Sequence, residues 1–95
     1  MWAMGDRTLN EAEDIRRKRL VHRSRYRGVK ESDLLFGQFA ATHLARLDTA
    51  QLDRYEALLD EADQDVLAWV YARTPVPPRH DNDVFALLRR FEPHA

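Results

Sequence analysis

The stretch Asp48-Thr49-Ala50-Gln51-Leu52-Asp53-Arg54-Tyr55-Glu56-Ala57-Leu58-Leu59-Asp60 decides the fold class of this chain. Leu52, Tyr55, Leu58 and Leu59 recur at three- and four-residue spacings and share one face of a helix, whereas Asp53, Glu56 and Asp60 fall on another. Asp48 or Thr49 supplies an N-cap. No alternating apolar pattern competes, so the segment reads as an amphipathic helix with one buried side.

The same period extends in both directions. Upstream, Phe36, Phe39, Ala40, Leu44 and Leu47 predict a central helix that starts at Glu31 or Ser32 and continues to about Leu47. Downstream, Asp63 is expected to cap a helix carrying Val66, Leu67, Trp69, Val70 and Tyr71, which ends before the prolines of 75–78 because they cannot propagate it. Asp81 or Asn82 opens a last helix with Val84, Leu87, Leu88 and Phe91 on its buried side. A first helix is predicted from about Asn10, acting as N-cap, to the neighbourhood of Tyr26, with Gly28 ending it. The sum is an all-α, single-domain bundle of about five short helices with antiparallel neighbours. The expected divisions are a flexible N-terminus over 1–9, the helical domain over 10–92 and a tail over 93–95.

Ninety-five residues suit one modest core, and 44% hydrophobic with 33% charged residues is a globular composition. The absence of cysteine excludes disulfides, thiolate metal sites and cysteine nucleophiles. No apolar run reaches the roughly 20 residues that cross a bilayer. Glu11, Glu13 and Asp14 argue against a transit peptide, so a cytoplasmic bacterial protein is expected.

Chemistry-bearing patterns are few. His22, His43, His80 and His94 have no metal-ligand spacing, and no serine or threonine lies in a nucleophile elbow. Gly5, Gly28 and Gly37 are too scattered for a phosphate loop. The chain therefore reads as neither an enzyme nor a metal or nucleotide binder. The formal net charge is −1, yet the charges are segregated along the sequence. Eight Lys or Arg and no acid lie between Ile15 and Lys30, against seven acids and the single base Arg54 between Asp48 and Asp65. The basic run suits an acidic protein partner or a nucleic acid, and the near-neutral total favours the protein. A small helical regulatory module that binds nucleic acid or another protein through this helix is the alternative reading.

One segment is more specific. In Arg27-Gly28-Val29-Lys30-Glu31-Ser32-Asp33, Gly28 can take a left-handed conformation and turn the chain sharply, which is expected to set Arg27 and Glu31 on one exposed edge. Glu31 would lie in the first turn of the second helix, where the helix dipole favours it and Arg27 could balance it. Ser32 reads as a cap.

The Arg-Gly-x-x-Glu pattern, Asp33 two residues later, and the Asp-x-Asp-Val-Leu-x-Trp segment from Asp63 to Trp69 resemble the SdhE family of succinate dehydrogenase assembly factors over about Ile15 to Phe91. The resemblance implies a factor that binds the flavoprotein subunit of succinate dehydrogenase and promotes covalent attachment of FAD to it. The similar fumarate reductase flavoprotein is a second candidate client. It implies that Arg27, Gly28, Glu31 and Asp33 form the contact edge, with Arg23, Arg25 and the rest of the basic helix steering the approach. FAD then belongs to the client, and the factor holds no cofactor stably, meets no membrane and is a monomer when free.

Overall fold

A computed structural model of the chain describes residues 2–25 and 27–94, with side chains from Ala12 onward. Among the described residues the structure is all-helical: α1 (Trp2–Arg25), α2 (Lys30–His43), α3 (Thr49–Leu59), α4 (Asp63–Val70) and α5 (Asp83–Arg90). Single 3-10 turns span Leu44–Arg46 and Pro78–His80. The all-α expectation is met, and none of these helices is long and apolar enough to cross a membrane.

The core is built on α2. Phe36 and Phe39 are fully buried and meet Tyr55 of α3, Phe36 edge-on with centroids 6.2 Å apart and Phe39 stacked at 5.5 Å. Leu52, Leu58 and Leu59 of α3, Val66 of α4, and Val84 and Leu88 of α5 complete one contiguous apolar cluster. Among its described side chains, α1 contributes only Leu20, with Val21 at the margin. A polar pair joins α1 to this core. The Ser24 hydroxyl donates to the Leu20 carbonyl at 2.6 Å, which leaves the Tyr55 phenol to donate to Ser24 Oγ, also at 2.6 Å. Burial pushes the Tyr55 phenol far above its ordinary pKa, so it is a proton donor throughout the physiological range.

Helix boundaries follow local chemistry in some places and tertiary demands in others. Asp48 caps α3 as expected, in a reciprocal box: Gln51 N–H donates to Asp48 Oδ1 at 2.8 Å and Asp48 N–H donates to Gln51 Oε1 at 3.0 Å. Asn82 caps α5 through Phe85 N–H. Three capping expectations are corrected. α1 begins at Trp2, so Asn10 lies within the helix; a capping residue is compatible with a helix start but cannot forbid an earlier one. The N-cap of α2 is Val29, and Ser32 is fully buried with its hydroxyl unpaired. The N-cap of α4 is Ala62, because the Asp63 carboxylate is engaged elsewhere. The central helix also stops at His43, with the chain to Arg46 tightening into a 3-10 turn rather than continuing to Leu47 as α-helix.

Near the C-terminus, the Gln38 amide on α2 brackets His94, accepting from its N–H at 2.7 Å and donating to its carbonyl at 2.5 Å. Met1 and the side chains of 2–11, which include those of the segment 1–9 expected to be flexible, and Ala95 of the expected tail lie outside the described residues.

α4 ends in a Schellman arrangement, with Arg73 N–H donating to the Ala68 carbonyl at 2.8 Å and Ala72 N–H to the Trp69 carbonyl at 3.2 Å. The residue that must turn left-handed is Ala72, at φ 58°. Glycine meets that demand without a Cβ clash. Ala72→Gly is expected to stabilise the fold by ~0.5–1 kcal/mol and raise Tm by a few degrees, read by thermal circular dichroism. Ser24→Ala strands the Tyr55 hydroxyl in the core and should cost about 1–3 kcal/mol, whereas Ser24→Ala combined with Tyr55→Phe should cost less than the sum of the two single changes. Additive losses in denaturant unfolding would show that the pair is not coupled.

Candidate partner-binding corner

Gly28 has φ 91°, and the site where a Cβ would project is open. The demand at this turn is conformational rather than steric. With that turn made, α1 and α2 pack as a hairpin, and two bonds lock its tip: Arg27 N–H donates to Asp33 Oδ1 at 2.7 Å, and Asp33 N–H donates to the Val29 carbonyl at 2.9 Å.

The Arg27 side chain turns inward, with only 10% of its area exposed, and pairs with Asp63, which is 13% exposed. Its Nε and Nη2 both donate to Asp63 Oδ1, at 2.9 and 2.5 Å, and Nη2 also donates to the Leu59 carbonyl at 2.9 Å. The guanidinium lies over the Phe36 ring, 5.3 Å from its centroid. This corrects the expectation that Arg27 shares an exposed edge with Glu31. The Leu59 carbonyl at the end of α3 and Asp63 in the first turn of α4 offer a fork-shaped donor two acceptors in a nearly dry setting, and a solvated Glu31 cannot compete.

What remains outside is Gly28, Val29, Lys30 and Glu31, all exposed. Val29 is one of the few large apolar side chains left exposed, and the Glu31 carboxylate has no hydrogen-bond or ion-pair partner among the described residues. The corner therefore consists of a rigid interior, made by Arg27 and Asp33, and an outer edge that offers backbone, a small apolar surface and the solvated charges of Lys30 and Glu31.

Part of the basic run, which the sequence offers whole to an acidic partner, is engaged within the domain instead. Arg16 bonds Asp53 at 2.6 Å and Glu56 at 2.8 Å, and Arg23 bonds Asp60 at 2.9 Å and approaches Glu56 at 3.7 Å. The hydrogen bonds that Arg16 donates to Glu56 and Asp53 hold its guanidinium above its already high ordinary pKa. Arg17 donates to the carbonyls of Leu44 and Leu47, filling acceptors left open where the central helix ends. Arg16, Arg23 and Arg27 of the basic block are thus paired with Asp53, Glu56, Asp60 and Asp63 of the acidic block. Arg25, by contrast, is exposed. Sequence reading missed Asp63 as the partner of Arg27, although the segregated charges already signalled a cross-helix match.

A second cluster ties the proline-rich connector to the end of α3. Glu61 Oε2 accepts from His80 Nε2 at 2.6 Å and from Arg79 at 2.8 Å, and the His80 ring lies against Trp69. These bonds, His80 first, hold the Glu61 carboxyl below its usual range. No group of His, Asp and Glu among the described residues could hold a metal ion.

Fold and corner together define a class: a small all-helical protein whose hairpin tip is clamped from beneath and open on its outer edge. The chain belongs to the family described as "Flavinator of succinate dehydrogenase", which matches residues 18–92. It is similar to proteins named succinate dehydrogenase assembly factor 2, mitochondrial, from three yeasts. The Candida glabrata protein is 47% identical over 77 residues, covering 78% of this chain and 50% of that protein. The Lodderomyces elongisporus protein is 43% identical over 84 residues, covering 84% and 51%. The Meyerozyma guilliermondii protein is also 43% identical over 84 residues, covering 84% and 62%. The chain thus spans about half the length of the first two relatives. These matches overturn the expected cytoplasmic, bacterial placement, because the relatives are yeast proteins named mitochondrial. The acids used to argue against a transit peptide lie within α1, and so report on the helical domain rather than on its cellular address.

The division of labour at the corner can be measured. Arg27→Ala leaves the Asp63 carboxylate and the Leu59 carbonyl unpaired in a nearly dry site and should cost ~3 kcal/mol or more. Glu31→Ala should leave stability within ~0.5 kcal/mol of wild type in urea unfolding. Equal losses in the two variants would contradict this assignment.

Proposed function

We propose that this chain is an assembly factor, not an enzyme, that binds the flavoprotein subunit of succinate dehydrogenase and promotes covalent attachment of FAD to it. The family match and the relatives' names support the client. The observation that carries the site is the Glu31 carboxylate, left without a partner among the described residues on a corner whose Arg27 and Asp33 are bonded inward. A charge exposed on a rigid support is ready for an external cation or backbone N–H, and loses little side-chain order on engaging it.

No side chain at the corner is activated for chemistry. The reading is therefore that the factor binds one conformation of its client better than others and so raises the population able to flavinylate. In this proposal FAD and the accepting residue belong to the client, and the free factor is a monomer that holds no cofactor stably. The fumarate reductase flavoprotein is a second client to be tried in the same assay. A nucleic-acid role is disfavoured, because Arg16, Arg17, Arg23 and Arg27 already bond acids or carbonyls within the domain.

The test is covalent flavin on the purified flavoprotein subunit, scored by in-gel fluorescence after incubation with FAD and factor. Wild-type factor should raise the signal. Glu31→Ala should weaken client binding about tenfold, equivalent to ~1.4 kcal/mol, and lower the signal without loss of fold. A signal independent of the wild-type factor would reject the proposal.

A further inference from the structure

The cations of the basic segment divide into two sets. Arg16 and Arg23 lie on the flank of α1 that meets α3, and Arg17 reaches the carbonyls after α2. Ile15, Lys18, Arg19, His22 and Arg25 follow the three- and four-residue spacing of the opposite side, and all are exposed, Ile15 by 50%. Val29 and Lys30, which follow the turn, are also exposed.

Among the described residues, Lys18, Arg19, Arg25 and Lys30 have no ion pair or hydrogen bond, and the described acids that face α1 are already engaged. Glu13 and Asp14 face Arg17, Asp53 and Glu56 face Arg16, and Asp60 faces Arg23. The uncompensated positive charge of the domain near α1 is thus gathered on one stripe. From Ile15 to Arg25 it runs about 15 Å, at ~1.5 Å per helical residue. Ile15 is exposed at its start, and Val29, Lys30 and Glu31, next in the chain after the turn, are exposed too.

We infer that this outer face of α1 is a docking stripe for an acidic protein surface, which guides the client into register before Glu31 engages. The inference rests on the proposed function and deepens it by naming the chemistry of the partner surface. Four cations followed by one anion call for the reverse pattern on the partner: a row of carboxylates ending near a cation. The exposed apolar side chains of Ile15 and Val29 suit a protein surface better than a phosphate backbone, and the overall charge of −1 gives no long-range attraction to nucleic acid. Charges that remain solvated in the free protein act mainly on encounter, so they should set the association rate more than the lifetime of the complex.

The experiment measures association and dissociation of the full chain with the purified flavoprotein subunit at low and high salt. The variants are Lys18→Glu with Arg19→Glu and Arg25→Glu, and the milder set with Gln at the same three positions. None of these side chains has a bond among the described residues, so helicity and Tm should persist, and the Gln set serves if the Glu set fails to fold. The Glu set should slow association ~10-fold or more at low salt, the Gln set less, with dissociation nearly unchanged and the difference shrinking at about 0.5 M salt. Association within about twofold of wild type at low salt would overturn the stripe. So would binding of short duplex DNA or anionic vesicles by the wild type through these residues with client association unaffected. If the charge variants behave as wild type while Glu31→Ala loses flavinylation, only this inference fails; if the wild type does not bind the flavoprotein, the proposed function fails with it.

Discussion

The rest of the structure depends on the Arg27 guanidinium, buried over Phe36 and bonded to Asp63 and to the Leu59 carbonyl. Through one side chain and one backbone N–H, it connects the end of the α1 segment, the first turn of α2, the last carbonyl of α3 and the first turn of α4. Four helix termini meet there, each with backbone groups that helical bonding leaves open. A lysine could supply the charge but not the planar fork that reaches a carboxylate and a carbonyl together. The bond to Asp33 transmits this anchoring to the turn, so Gly28 to Glu31 are presented by a support with little freedom.

Around that anchor, α1 is attached in an unusual way for a helix of its length. Among its described side chains it buries little apolar surface, and its adhesion depends on a buried serine against Tyr55 and on arginines that bond across to α3 or to carbonyls beyond α2. Exposed ion pairs contribute little individually, but those to Asp53, Glu56 and Asp60 share partners and act as a network along one helix face. Pairing acids with the inner flank also leaves the outer flank positively charged by subtraction. The same charge segregation that fastens α1 therefore creates its outward-facing stripe.

Fold maintenance and recognition are thus divided within a few residues. In Arg-Gly-x-x-Glu the arginine is structural, the glycine supplies a backbone conformation, and the glutamate alone of the two charged members faces outward. A binding protein gains from this division, because the recognising group is solvated and adaptable while its position is set by buried bonds.

The sequence by itself determined the helical class and the apolar faces, and narrowed the caps of α3 and α5 to Asp48 or Thr49 and Asp81 or Asn82, because capping and three- and four-residue periodicity are local and survive without tertiary context. It also located the corner, since a glycine flanked by charges at a helix boundary restricts the backbone whatever surrounds it. Only the tertiary structure decided which way Arg27 points. Its choice between Glu31 nearby and Asp63 far along the chain is settled by burial: the distant carboxylate lies where water is scarce, and a hydrogen-bonded ion pair is stronger there than at the solvated surface. The same reason governs the basic helix, whose residue types were legible from the start while the division into bonded and open cations required α3 to be in place beside it.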